Sequence, residues 1–166
     1  MKLLPLLPAE QLLEHLKIDP HLRDIEQLAS FDSGLFDELI KKPIYQFVEW
    51  CQLAPASQSH HHSGPGGLIQ HTLDMVKISL KKRRGLQLPI GGSLEAINSE
   101  RHQWTYAIIM GCLLHDIGKL SSSIRLILVR QNGTEIPFVP LGHSIKNIML
   151  DKTIRGYRIE FPDSDY

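Results

Sequence analysis

Apolar residues recur along the chain at the spacing of amphipathic helices, broken by a few punctuating residues. Pro8 starts a predicted helix running to about Leu16, and Asp19 with Pro20 caps and starts a second running to about Ala29. From Ser33 to Leu53 a longer periodicity, carried by Leu35, Phe36, Leu39, Ile40, Ile44, Phe47, Val48 and Cys51, predicts a core-forming helix pair that Pro43 kinks or restarts. Between Ala54 and Gly67 the pattern gives way to Pro, Ser, Gly and His, the composition of a loop. A further helix follows from about Leu68 to Arg84. Its closing run, Lys81-Lys82-Arg83-Arg84 before Gly85, complements the negative end of the helix dipole.

After a linker from Gln87 to Ser93, Ser99 is the predicted cap of a strongly apolar helix containing Trp104, Ala107, Ile108, Met110, Leu113, Leu114 and Ile117. Its C-terminal turn is Leu114-His115-Asp116-Ile117-Gly118-Lys119. Two strand-like runs, Ile124 to Arg130 and Thr134 to Val139, flank Asn132-Gly133 and predict a β-hairpin. Tyr157 to Phe161 alternates like a strand that lacks a partner. The expected architecture is mainly α, a helical body carrying a β-hairpin.

Length and totals narrow the picture without naming a partner. At 166 residues and 42% hydrophobic content, the chain suits a single domain over residues 1–166. Eighteen basic residues balance eighteen acidic ones, so no overall positive field draws it to nucleic acid, and a local patch at Lys81 to Arg84 is the remaining electrostatic candidate. Cys51 and Cys112 lie in apolar helical patterns without zinc-motif spacing, which reads as reduced, buried thiols in a cytosolic protein. Two prolines interrupt the apolar opening and Glu10 follows at once, so no export signal is read. Apolar runs of about eighteen residues are absent, so membrane insertion is not expected.

The candidate chemistry sits at His115-Asp116. An ionised carboxylate in poorly solvated surroundings needs compensation, which a metal ion, a helix cap or an ion pair can supply. Imidazole with carboxylate suits a divalent ion such as manganese, iron, zinc or magnesium better than copper(I). The preceding helix offers His71 within Gly67-Leu68-Ile69-Gln70-His71-Thr72-Leu73-Asp74-Met75, and Gly118-Lys119 follows the His-Asp pair.

These residues resemble the HD-domain metal-dependent phosphohydrolases, whose ligands are a histidine on one helix, a His-Asp doublet on a later helix and a distant aspartate. The resemblance implies an HD-type helical bundle with a β-hairpin insertion. His71, His115 and Asp116 would hold the metal, and Asp116 and Lys119 would be catalytic, with Lys119 facing substrate phosphate. Asp151 is the best-placed candidate for the distant aspartate, unless a residue beyond position 166 completes the site.

A narrower resemblance rests on Pro55-Ala56-Ser57-Gln58-Ser59-His60-His61-His62-Ser63-Gly64-Pro65-Gly66-Gly67-Leu68, followed by the helical His71. This is similar to the N-terminal domain of MobH-class conjugative relaxases, over roughly residues 1–166, and implies a fragment of a longer protein. In that family the triple histidine and the His-Asp pair are thought to act in metal binding and DNA cleavage at a transfer origin. Three consecutive side chains cannot all face one ion from regular structure, so His62 is the first expected to reach the site and His60 the next. His143 is a further candidate, while His15, His21 and His102 read as structural. A second ion near the histidine loop would stabilise the leaving oxygen.

The implied function is metal-dependent DNA nicking, with Lys81, Lys82, Arg83 and Arg84 on the DNA backbone and other conjugation proteins as candidate partners. The alternatives are a nucleotide phosphohydrolase and a DNA-docking module with an incomplete metal site. Relaxases usually form a covalent DNA-tyrosine link, for which Tyr45, Tyr106, Tyr157 and Tyr166 are the tyrosines available. The helicase label attached to the family finds no support in this sequence, which lacks a Gly-x-x-x-x-Gly-Lys-Ser/Thr loop.

Overall fold

Prolines set where three of the helices begin. In the computed structural model, which describes residues 3–139, 142 and 145–162, Pro8 precedes α1 (Ala9–His15) as its N-cap. Pro20 falls in the first turn of α2 (Asp19–Ala29), and Pro43 in the first turn of α4 (Lys42–Cys51). At these positions a missing N–H removes no intrahelical bond. The short α3 (Ser33–Phe36) leads through a π-helical turn (Asp37–Lys41) straight into α4, so Pro43 restarts a helix that the π turn has already displaced. Asp19 does not cap α2: Ile18 occupies the cap position and Asp19 is the first helical residue.

The longest helix, α5 (Gly67–Arg84), is followed by α6 (Leu94–Ser99), α7 (Arg101–Leu114) and α8 (Lys119–Ser122). The sequence pattern misplaces one boundary here. Ser93, whose hydroxyl accepts from the Ala96 N–H, caps α6, whereas Ser99 ends it by donating to the Ala96 carbonyl. Helix α7 starts afresh at Arg101 without a side-chain cap. Buried residues at helical spacing on α5, Ile69, Leu73, Val76 and Leu80, turn one face inward against α7, which contributes Ile109, Cys112 and Leu113, and against α2, which contributes Ile25. His71 and Asp74 lie on a different flank of α5, one turn apart. Cys51 and Cys112 are both buried and unpaired.

A three-stranded antiparallel sheet closes the fold in the order β2 (Glu135–Pro137), β1 (Arg125–Arg130), β3 (Ile154–Glu160), with α9 (Ile145–Leu150) between β2 and β3. The hairpin turns at Asn132-Gly133, where Gly133 has φ +83°, and Pro137 is tolerated because β2 is an edge strand. The run around Tyr157, expected to be unpaired, is the partner of β1 along its length, with Leu128 opposite Tyr157. Leu4 adds a bridge on its far side through two 2.8 Å backbone hydrogen bonds with Tyr157. Gly156 permits that approach, since a Cβ there would lie 2.4 Å from the Leu4 carbonyl oxygen. The buried Tyr157 hydroxyl accepts from the Leu53 N–H at 3.0 Å, tying the sheet to the start of the histidine-bearing loop. Among the described residues no helix is long and apolar enough to cross a membrane.

Candidate metal centre

Two glycines seat the histidine loop on the start of α5. Gly66 adopts φ +72°, and a Cβ on Gly67 would lie 1.8 Å from the His62 carbonyl oxygen, so only glycine lets the loop pass this close. That carbonyl accepts from Ala56 N–H at 2.9 Å, while Gly66 and Leu68 donate to Leu53 and Ala54. His62 itself is held at φ +59°, a conformation that a non-glycine residue adopts only when its surroundings impose it. One turn into α5 comes His71. On the other side, α7 ends at Leu114, His115 is its C-cap, and Asp116 lies in the turn leading to α8, just past the helix and not inside it as the apolar pattern suggests.

This turn brings three nitrogens around one oxygen. Asp116 Oδ2 lies 3.5 Å from His71 Nε2, 3.1 Å from His115 Nε2 and 2.7 Å from Lys119 Nζ. One ligand atom from each of His71, His115 and Asp116 falls within 4.8 Å of the others. Lys119 Nζ also donates to the Ala56 carbonyl at 3.3 Å, joining the site to the histidine loop. Asp116 is the least accessible member, with a side chain 15% exposed against 33% for His71 and 29% for His115, so the site opens to solvent on its imidazole side.

The protonation pattern matches what a divalent cation needs. His115 Nδ1 is 2.6 Å from the Cys112 carbonyl oxygen, which can only accept, so Nδ1 carries hydrogen and a neutral ring presents its lone pair at Nε2. A lone pair 3.1 Å from a carboxylate oxygen is repulsive unless the ring is protonated or a cation sits between them. Burial holds the His71 ring below the usual histidine range, with His115, His62 and Lys119 adding to the effect and the Asp116 carboxylate opposing it. A downward shift favours the neutral form of the ring, which is the form able to ligate. Two imidazoles and a carboxylate therefore fit an ion such as manganese, iron or zinc.

A second polar group adjoins this one. Asp74 Oδ1 lies 3.4 Å from His21 Nδ1 and Oδ2 lies 3.7 Å from His62 Nε2. Lys77 approaches Asp74 at 3.9 Å and pairs with Asp24 at 3.3 Å. The ring centroid of His62 is 5.5 Å from that of His71, which is 5.6 Å from that of His115, yet His62, expected first at the site, lies outside the three-residue group.

Other residues singled out in the sequence fall elsewhere. His60 is exposed, its Nδ1 3.3 Å from the Ser59 hydroxyl, and lies outside the three-residue group. Asp151 organises a turn, accepting from the Thr153 N–H and hydroxyl and from Arg130, which together hold its carboxyl below the usual range. It too lies outside the group. His143 and Tyr166 fall outside the described residues. Burial pushes the Tyr157 hydroxyl up to about 12, which suits a structural role and not a nucleophile. Lys81 and Lys82 are exposed, while Arg83 donates to Leu86 and Arg101 carbonyls and Arg84 to that of Gln27.

Residues 5–163 match a family model described as "Putative helicase". The chain belongs to this family. It is also similar to a dihydroneopterin 2',3'-cyclic phosphate phosphodiesterase from Methanocaldococcus jannaschii, at 31% identity over 124 residues, covering 66% of this chain and 45% of that protein. The chain thus spans less than half the length of that relative. No solved structure matches it.

The sequence pattern does not bring out the contact between Asp74 and His21, and His21 reads there as structural. Asp74 is detectable in principle, because an (i, i+3) step from His71 puts both on one helix flank. His21 is not, because it reaches Asp74 only through the packing of α2 on α5.

Proposed function

We propose that this domain cleaves phosphodiester bonds with a divalent metal held by His71, His115 and Asp116, and that its substrate is a DNA strand. The observation that carries the reading is the convergence of those three ligand atoms within 4.8 Å beside the Lys119 ammonium. When bound, the ion would supply Lewis-acid polarisation of a phosphoryl oxygen and activation of water. His115 is fixed by the Cys112 carbonyl and so needs no reorientation. Lys119, 35% exposed, offers a positive charge to the negative charge that develops on the phosphoryl oxygens.

DNA is favoured by reach and by openness. Helix α5 links the site to the exposed Lys81 and Lys82, and from His71 to Lys82 its axis runs about 16 Å, so an extended strand would contact both. A DNA-nicking role at a transfer origin, as the relaxase resemblance suggests, is the specific form of this proposal. A second reading, hydrolysis of a small cyclic phosphodiester, draws on the name of the archaeal relative.

The experiment supplies manganese to the protein with supercoiled DNA, single-stranded DNA and nucleoside 2',3'-cyclic phosphates in parallel. Nicking that weakens steeply as salt rises, with little turnover of cyclic phosphates, is the expected outcome. Turnover of cyclic phosphates alone would overturn the DNA assignment and retain the phosphodiesterase. Inactivity on every substrate, in a protein carrying metal, would overturn both.

A further inference from the structure

We propose that the open face shared by α5 and α7 receives unpaired nucleobases of the strand, with Leu114 against the base next to the phosphate at the metal centre. The inference rests on the DNA reading above and names the part of the substrate, its bases, for which that reading gives no contact.

Helices α5 and α7 lie antiparallel. The rings of His71 and His115 adjoin at one end, 5.6 Å apart, and Arg83 donates to the Arg101 carbonyl at the other. Between these ends the Cys112 thiol meets the Ser79 hydroxyl at 3.5 Å. One residue back along a helix is a turn of about 100°, and on antiparallel neighbours the two turns lead to the same side of the seam. Ile78, before Ser79, and Gly111, before Cys112, therefore share one surface, and both are exposed. Helical spacing puts His71 on that surface with Ile78, and His115 with Gly111, so it is continuous with the metal centre.

This surface is apolar where solvent-facing helix is ordinarily charged. Leu114, directly before His115, is 58% exposed and Ile78 is 54% exposed. Ala107 and Gly111 continue the exposed side of α7, and residues 102–114 include no Asp, Glu, Lys or Arg. Gly111 is an independent sign. A Cβ there would meet nothing within 4 Å, so no neighbour in the fold calls for glycine, although glycine is a poor residue for mid-helix. A bare backbone at that position serves close approach by a bound group.

Charge appears at the two borders, as Lys119 beside Asp116 and as the exposed Lys82, four residues beyond Ile78. A nucleic-acid strand has the matching distribution, with anionic phosphates for the lysines and neutral base faces for the surface between them. Bases in a duplex stack on one another, so the occupant is single-stranded. Two large side chains set among alanine and glycine fall well short of the roughly 800 Å² that each partner gives to a stable protein interface, which disfavours a second copy of the chain.

The test measures fluorescence anisotropy of a short single-stranded oligodeoxynucleotide, and of an abasic one of equal length, with metal-free protein across a salt series. Leu114→Gln should weaken binding of the base-bearing strand about 5–20-fold, in line with the apolar area Leu114 has left to bury, and should leave the abasic strand unaffected. Gly111→Gln should weaken it at least as much while raising the thermal midpoint of the free protein by about 2–4 °C. Neither variant should change the salt dependence, whereas Lys82→Gln should reduce its slope by about one phosphate contact. Ile78→Gln, on the other helix, should act like Leu114→Gln and serves if that variant does not fold. Equal wild-type affinity for the two strands, or wild-type binding by Leu114→Gln and Gly111→Gln, would overturn the proposal and leave the DNA reading standing on its phosphate contacts. Self-association of the wild type that Leu114→Gln abolishes would give the face to a second copy and also overturn it. A protein that binds neither strand at any salt would overturn both the proposal and the DNA reading.

Discussion

Lys119 places its ammonium 2.7 Å from Asp116 Oδ2, the same oxygen that His71 and His115 face. In the metal-free protein this ammonium compensates the carboxylate, and a bound cation would compete with it for that oxygen. Lys119→Met is therefore expected to bind metal several times more tightly than wild type while losing about 10²–10³-fold in phosphodiester cleavage at saturating metal. Paired metal titrations and initial rates check this. Cleavage at the wild-type rate would remove Lys119 from the chemistry, and unchanged metal affinity would show that its contact with Asp116 has no energetic weight.

Gly67 is the point where the histidine loop and α5 touch. A methyl group there would meet the His62 carbonyl oxygen at 1.8 Å, and backbone on both sides leaves nothing flexible to yield. Gly67→Ala should cost about 3 kcal/mol, which for a domain of this size lowers the thermal midpoint by about 6–12 °C. A midpoint within 1–2 °C of wild type, roughly the shift of a neutral surface change, would mean that the loop does not rest on α5 as described.

Much of this arrangement is legible in the sequence because it is local. The α5 periodicity, the Asn132-Gly133 turn and the proline starts are decided by neighbouring residues, and all appear where the pattern puts them. Spacing and resemblance pick out His71 and His115-Asp116, and the structure brings them together. What escapes the sequence depends on partners distant in the chain. The strand around Tyr157 alternates like any other, yet its pairing with β1 and Leu4 is set by the folded sheet. His21 gains its place only when α2 packs on α5. The choice of Ser93 over Ser99 as a cap turns on a short helix, α6, with no buried residue to give it an apolar signature.

Tyr157 gives a stability prediction with a definite pH window. Its hydroxyl, raised to about 12, is held protonated in the folded protein, against an ordinary value of 10.0. A folded pKa above the unfolded one contributes stability that is fully present below about pH 10 and is lost as pH rises through about 12. Denaturant unfolding of the wild type should weaken across that window, and the part of the loss due to this group should vanish in Tyr157→Phe. At neutral pH the same variant leaves the Leu53 N–H without its acceptor and should cost about 1–3 kcal/mol. Equal stability of the two proteins at neutral pH would show that this hydrogen bond carries no weight.

The central claim is that His71, His115 and Asp116 form a metal site. Elemental analysis of the purified protein and of Asp116→Ala, after exposure to manganese, iron or zinc, tests it most directly. The account predicts about one tightly held ion per chain in the wild type, and loss of that ion in the variant. It also predicts a metal-free thermal midpoint within about 4 °C of wild type, because the Lys119 ammonium left without its partner is 35% exposed and can turn to solvent. A wild-type chain that holds no ion under any of these conditions, or an Asp116→Ala variant that keeps it, would contradict the account.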